Sequence, residues 1–225
     1  MTTATQLITD ALHLFGIVDQ TEDPTPEDIS NGVSVLNTML RSDHVDGAAQ
    51  YLIRTITATL PVGTQGSVYT FEISPTGDVP VDAVAMRQLW INDVSPFVNR
   101  EVRGPVPKTD VVRTSYLGRI VKWTQERQTD GSVLVTAWQP PRSASPALIE
   151  YGGRIAALTA ADGGDTVGLP PEGIWDATLL FGLRSCPGYG RSLDAIGTLA
   201  QDAMRVDAKW RNYANGQQWL RMLRA

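Results

Sequence analysis

Five acidic side chains crowd one short stretch of this 225-residue sequence: Asp19, Glu22, Asp23, Glu27 and Asp28. Paired carboxylates are what glycoside hydrolysis uses, one as the acid and one as base or nucleophile, so Glu22 and Glu27 are the candidates for hydrolysing a cell-wall glycan. A simpler reading competes with that one. Glu27 and Asp28 directly follow Pro26, and negative charge in the first turn of a helix is stabilised by the helix dipole without any chemistry. Other reactive residue types are sparse, namely His13, His44 and Cys186. A single cysteine excludes a disulfide within one chain, and with two histidines it leaves little for a zinc site. Neither histidine sits beside a nucleophile-elbow pattern, and no calcium-loop spacing occurs. Gly163-Gly164 and Gly188-x-Gly190 lack the strand-to-helix context of a phosphate loop. The expectation is a protein with no catalytic residue, no cofactor and no metal.

The C-terminus is chemically richer in another way. Trp210, Tyr213, Trp219, Leu220, Met222 and Leu223 are interleaved with Arg211, Arg221 and Arg224, the residue types that dominate protein interfaces. The net charge of −5 is unevenly spread: residues 184–225 hold seven basic against three acidic side chains, and residues 1–183 hold twelve against twenty-one. That asymmetry points to a tail that meets an acidic partner surface. The acidic bulk argues against DNA binding by the chain as a whole, because phosphate contacts call for a positive excess. For Trp210 and Tyr213 there is a second reading, that they finish a helix against the body of the protein. No run of eighteen apolar residues and no secretory signal is present, so a soluble protein made in the cytoplasm is expected.

These groups need elements to position them. Apolar residues at Ala4, Leu7, Ile8, Ala11, Leu14 and Phe15 have helical spacing, Gly16 stops the helix, and Ile17 falls where a capping contact with Leu12 belongs. Thr25 as N-cap, Pro26 at the first helical position and the stripe Ile29, Val33, Leu36 and Leu40 define a second helix. Residues 43–50 read as a polar linker. Alternating, β-branched strands are expected at 51–60, 67–74, 84–92, 118–127, 132–138 and 146–153, with Asp130-Gly131 turning a hairpin between the fourth and fifth. Trp90, Trp123 and Trp138 lie on these strands, either exposed for binding a sugar or packed in the sheet core. Pro170 and Pro171 open a helix apolar nearly all round, which must end before Pro187. Leu193, Ile196, Ala200, Ala203 and Met204 mark a fourth helix, with Asn215-Gly216 expected to break it.

The expected fold class is α+β: an antiparallel bundle of two N-terminal and two C-terminal helices, an inserted antiparallel β-rich domain, and an extended C-terminal tail. The boundaries place the bundle at 1–46 and 169–209, the β domain at 47–168 and the tail at 210–225.

The N-terminal unit, QLITDALHLFGIV followed by PEDISNGVSVLNTMLRS, resembles the opening of the head-to-tail adaptor proteins of short-tailed bacteriophages, the tail accessory or head-completion factors. The strands GRIVKWTQER, SVLVTAWQPP and LIEYGG, Leu169-Pro170 and the Pro187-Gly188-Tyr189-Gly190 turn are similar as well. The resemblance implies a structural virion protein at the head–tail junction, a ring of twelve copies that is a monomer alone. Its partners would be the portal protein and the tail nozzle or tube, with the C-terminal tail, Trp210 to Arg224, docking on the portal. DNA would pass through its channel without specific binding, and no membrane is involved. The alternative from another class is a peptidoglycan-degrading or glycan-binding tail component.

Overall fold

Thr3 stands in extended backbone and its hydroxyl accepts the Gln6 N–H, which starts α1 (Ala4–Leu14). At the other end Gly16 takes φ +62°, a conformation open to a residue without Cβ, and the Ile17 N–H folds back onto the Leu12 carbonyl at 2.8 Å. The buried stripe is Ala4, Leu7, Ile8, Ala11 and Leu12, while Leu14, expected on it, is 37% exposed. Ile8 packs closely on α2 (Pro26–Thr38) at Gly32. Leu14 projects about a third of a turn away from Ile8 and is left uncovered.

Helix α2 begins with a reciprocal cap: the Asp28 N–H donates to the Thr25 hydroxyl at 3.2 Å, and the Thr25 N–H donates to the Asp28 carboxylate at 3.1 Å. The helix widens into a π turn at Met39–Asp43 and passes into a short helix, α3 (Val45–Ala49), where the sequence reads as linker. Five residues do not hold a helix by themselves. Packing holds this one, since Val45, Gly47, Ala48 and Ala49 are all buried.

In the chain between the two groups of helices the described residues form eight strands: β1 (Ile53–Leu60), β2 (Tyr69–Ser74), β3 (Val79–Pro80), β4 (Ala83–Ser95), β5 (Val98–Glu101), β6 (Lys122–Arg127), β7 (Val133–Trp138) and β8 (Ser145–Gly153). They form two four-stranded sheets, in the orders β1-β8-β4-β5 and β3-β2-β7-β6. Pairing is antiparallel except between β2 and β3, which run parallel over Ile73↔Val79 and Ser74↔Pro80. The hairpin expected at Asp130-Gly131 joins β6 to β7, with Arg127 opposite Val133 and Gly131 at φ +87°. Inward side chains of both sheets share one core, including Leu60, Phe71, Ile73, Met86, Leu89, Ile91, Trp123, Val135 and Ile149.

The chain leaves the β unit at Arg154, before the expected boundary at 168, because residues 155–170 are tied to the helices. Asn37 donates to the Leu158 carbonyl at 2.8 Å and accepts the Leu158 N–H at 3.0 Å, and the Ala4 and Thr5 N–H groups bond to the Asp165 and Gly163 carbonyls, each at 2.9 Å. Helix α4 (Pro171–Ser185) follows, with Gly182 lying directly against the Phe15 ring. Two 3-10 turns, Cys186–Tyr189 and Leu193–Ile196, lead to α5 (Thr198–Leu223).

The structure, a computed structural model, describes residues 2–95, 98–111, 116–160 and 162–223, of which 93–95, 98–99, 193, 195 and 212–223 are described by their backbone alone. It divides into two compact units, residues 1–51 with 155–215 and residues 52–154 with 216–225. The expected fold class is therefore corrected. The described residues form five α-helices and two four-stranded sheets, not a four-helix bundle carrying one β-rich insertion and an extended tail. Small residues buried by tertiary packing supply the additional helix α3. The tail is not extended, because Asn215-Gly216 lies inside α5, where glycine costs about 1 kcal/mol relative to alanine without forcing a break. Among the described residues no helix is long and apolar enough to cross a membrane.

Candidate functional site

One buried carboxylate explains how the last helix is held. Asp176 lies on the nearly all-apolar α4 and is 8% exposed. An isolated charge there would be costly, so it must be paired. Its Oδ2 accepts the Tyr51 hydroxyl at 2.6 Å, the Lys209 ammonium at 2.7 Å and the Trp210 indole N–H at 3.2 Å. Lys209 also donates to the Tyr51 oxygen at 2.9 Å. Burial pushes the Asp176 carboxyl up, but the hydrogen bonds from Lys209, Tyr51 and Trp210 outweigh it and hold the group below the usual carboxylate range. The same bonds to Asp176 and Tyr51 push Lys209 up.

A second pair also meets Trp210. His44 is 3% exposed, its Nε2 lies 2.7 Å from Asp207 Oδ1, and its ring meets the Trp210 ring edge-on at 6.0 Å between centroids. Asp207 uses its other oxygen to hold Arg211 at 2.7 Å. Burial lowers the His44 pKa, the Asp207 hydrogen bond opposes this, and Arg184 and Arg211 reinforce it. The pair is thus a hydrogen bond from a neutral imidazole to a carboxylate, assigned by placing the proton on Nε2. His44 Nδ1 is buried and has no hydrogen-bond partner among the described residues.

A pH dependence follows. The folded pKa of His44 lies below its ordinary value of 6.5, so the unfolded chain binds the proton more readily. The contribution to stability is complete above pH 6.5 and is lost as pH falls through the lowered folded value. Thermal melts across this range are expected to show the helical signal weakening on acidification, and His44→Gln is expected to flatten that part of the curve. An unchanged slope in the variant would remove His44 as the cause.

Glycine lets α3 approach this cluster. A Cβ on Gly47 would lie 2.5 Å from Trp210 Cβ and 2.9 Å from Trp210 Cα, so backbone as well as side chain would have to move. Gly47→Val is expected to destabilise the helical unit by about 1–3 kcal/mol, the usual range for overpacking. Chemical denaturation of the purified variant checks this.

Among the residues expected to dock on a partner, Trp210 is 1% exposed and belongs to this cluster. Its expected role is corrected: the indole is covered by His44, Tyr51 and Gly47 and is not available to a partner. Arg211 is exposed. Tyr213, Trp219, Leu220, Arg221, Met222 and Leu223 lie on the α5 backbone, with side chains outside the described residues, and Arg224 lies outside them altogether. Sequence reasoning missed Tyr51, Asp176 and Asp207. A lone carboxylate inside an apolar helix was the available signal for Asp176.

The acidic loop is organised as caps. Asp19 accepts the Thr21 N–H at 2.9 Å and its hydroxyl at 2.7 Å, and these bonds lower its pKa. The Thr25 hydroxyl at 2.6 Å, followed by Tyr189, lowers Asp28 in the same way. The Glu22 carbonyl lies 2.9 Å from His13 Nε2. Trp123 is fully buried in the β core, while Trp90 and Trp138 are half-buried. Among the described residues no group of three or more His, Cys, Asp or Glu could hold a metal ion. No protein-family model matches the chain, and a search of curated proteins finds no match.

Proposed function

We propose that this chain is a structural virion protein, the adaptor ring between the portal and the tail of a short-tailed bacteriophage. The observation that carries the reading is the last helix: α5 is anchored by the Asp176 and His44 clusters and runs on to Leu223, with arginine, tryptophan and leucine along its final turns. Anchored at one end and interface-like at the other, such a helix is suited to docking. The docking residues are Arg211, Tyr213, Trp219, Leu220, Arg221, Met222, Leu223 and Arg224. The resemblance of the N-terminal unit supplies the partner: twelve copies, each a monomer alone, would assemble on the portal, close the filled head and carry the nozzle. The acidic excess outside the C-terminal segment suits a channel that lets DNA pass without holding it. The role proposed is not enzymatic.

Particles assembled without this protein are expected to package DNA, fail to retain it and carry no tail. Adding the purified protein to such heads is expected to restore DNA retention and tail attachment. Heads that stay closed and acquire tails in its absence would overturn the proposal.

A further inference from the structure

An open groove of about 920 Å³ runs along the helical unit, lined by Leu14 on α1 and by Leu169, Ile174 and Trp175 at the start of α4, with Asp10 and His13 among its polar residues. Leu14 is 37% exposed and Trp175 53% exposed. A tryptophan and a leucine left open in a concave surface mark a site for another macromolecule, since large apolar side chains in a groove otherwise stay in contact with water. The sequence around the groove has one sign of charge. Residues 1–40 contain six acidic side chains and no Lys or Arg, and residues 155–183 contain four acidic side chains and none. Asp10 and Glu172, beside Leu14 and Trp175, are exposed. The occupant is therefore apolar with basic flanks.

The same helical unit carries that complement on another helix. Met204 on α5 is a further large apolar side chain of this unit left open, at 49% exposed. Beside it stand Arg205, with 78% of its side chain exposed, and the exposed Ala208, and Arg211 follows two turns on from Met204. Arg205 pairs within its own helix with the exposed Asp202, a contact that is weak and easily exchanged, while Arg211 pairs with the half-buried Asp207.

We infer that the groove between α1 and α4 of one copy receives the Met204 and Arg205 face of α5 from a second copy. Two different surfaces of one chain then meet, a head-to-tail contact that repeats around a ring. The inference deepens the ring reading above and rests on it for the closure of the ring, but the contact itself involves no portal.

Disulfide trapping in the full chain tests it, the native Cys186 being buried. Leu14→Cys and Met204→Cys variants are mixed at high concentration and oxidised. The mixed disulfide is expected to form about tenfold faster than either homodimer, as expected for a contact between two unlike surfaces. Arg205→Glu in the Met204→Cys chain is expected to slow it by about tenfold, and Asp10→Arg in the Leu14→Cys chain to recover most of that loss when the two are paired. Near-ultraviolet circular dichroism confirms that each variant is folded. Faster Leu14→Cys homodimers, a mixed disulfide no faster than one to an exposed Thr21→Cys control, or indifference to the charge swap would each overturn the inference. Portal binding measured separately keeps the two readings apart: trapping without portal binding removes the adaptor reading and leaves this contact standing.

Discussion

Trp210→Ala is expected to lower the stability of the helical unit by about 3–5 kcal/mol, the range for truncating a fully buried aromatic side chain. The indole fills the space between His44, Tyr51 and Gly47, and its N–H is one of three donors on the single Asp176 oxygen. Removing it leaves a cavity and takes a donor from a buried carboxylate, so the two losses act together. For a chain of this size the melting temperature should fall by roughly 6–20 °C. Following ellipticity at the helical minimum reports on the right unit, and hydrogen-exchange protection of the β-strand amides serves as an internal comparison. A fall of a degree or two would mean that Trp210 is not the pin that holds α5.

Truncation after Arg211 is expected to leave the helical unit folded and to abolish binding to the portal, a loss of at least about 100-fold if Trp219 and the two arginines act as interface hot spots. The position of the cut matters. Removing residues from 210 onward would delete a core tryptophan, so any loss of binding could come from unfolding. A full-length chain with Trp219→Ala, Arg221→Glu and Arg224→Glu is the companion variant, since it keeps the helix and changes only the chemistry of its end. Sedimentation with purified portal rings reads both. Binding retained by the truncated chain and by the substituted chain would sink the docking role of this segment.

The ends of α1 and α2 were legible because single residues decide them. Gly16 takes the left-handed turn, and Thr25 with Asp28 closes a reciprocal cap, both short-range effects that need no partner element. The β6–β7 hairpin was legible for the same reason, through Gly131. Leu14 was misplaced because it flanks the apolar stripe, and only the arrangement of the other helices decides which flank is covered. Helix α3 was invisible for a related reason: Gly47, Ala48 and Ala49 have no stripe of their own and are buried only by tertiary packing, Trp210 from a distant part of the chain lying directly on Gly47. That Asn215-Gly216 lies within α5 shows a weak local preference overridden by the turns on either side. The division into two sheets follows from long-range pairing, which alternation along one strand does not encode. Of the candidate site, the basic aromatic composition of the C-terminus was plain in the sequence. Its anchor was not, since Tyr51, Asp176, Asp207 and Lys209 are brought together only by folding.

The most direct test of the adaptor role is the mass of the purified protein by light scattering, alone and then with the portal of the same virus. The account predicts a monomer alone and, with portal, a saturating complex heavier by a full ring of subunits. No association with the portal under any condition would contradict it.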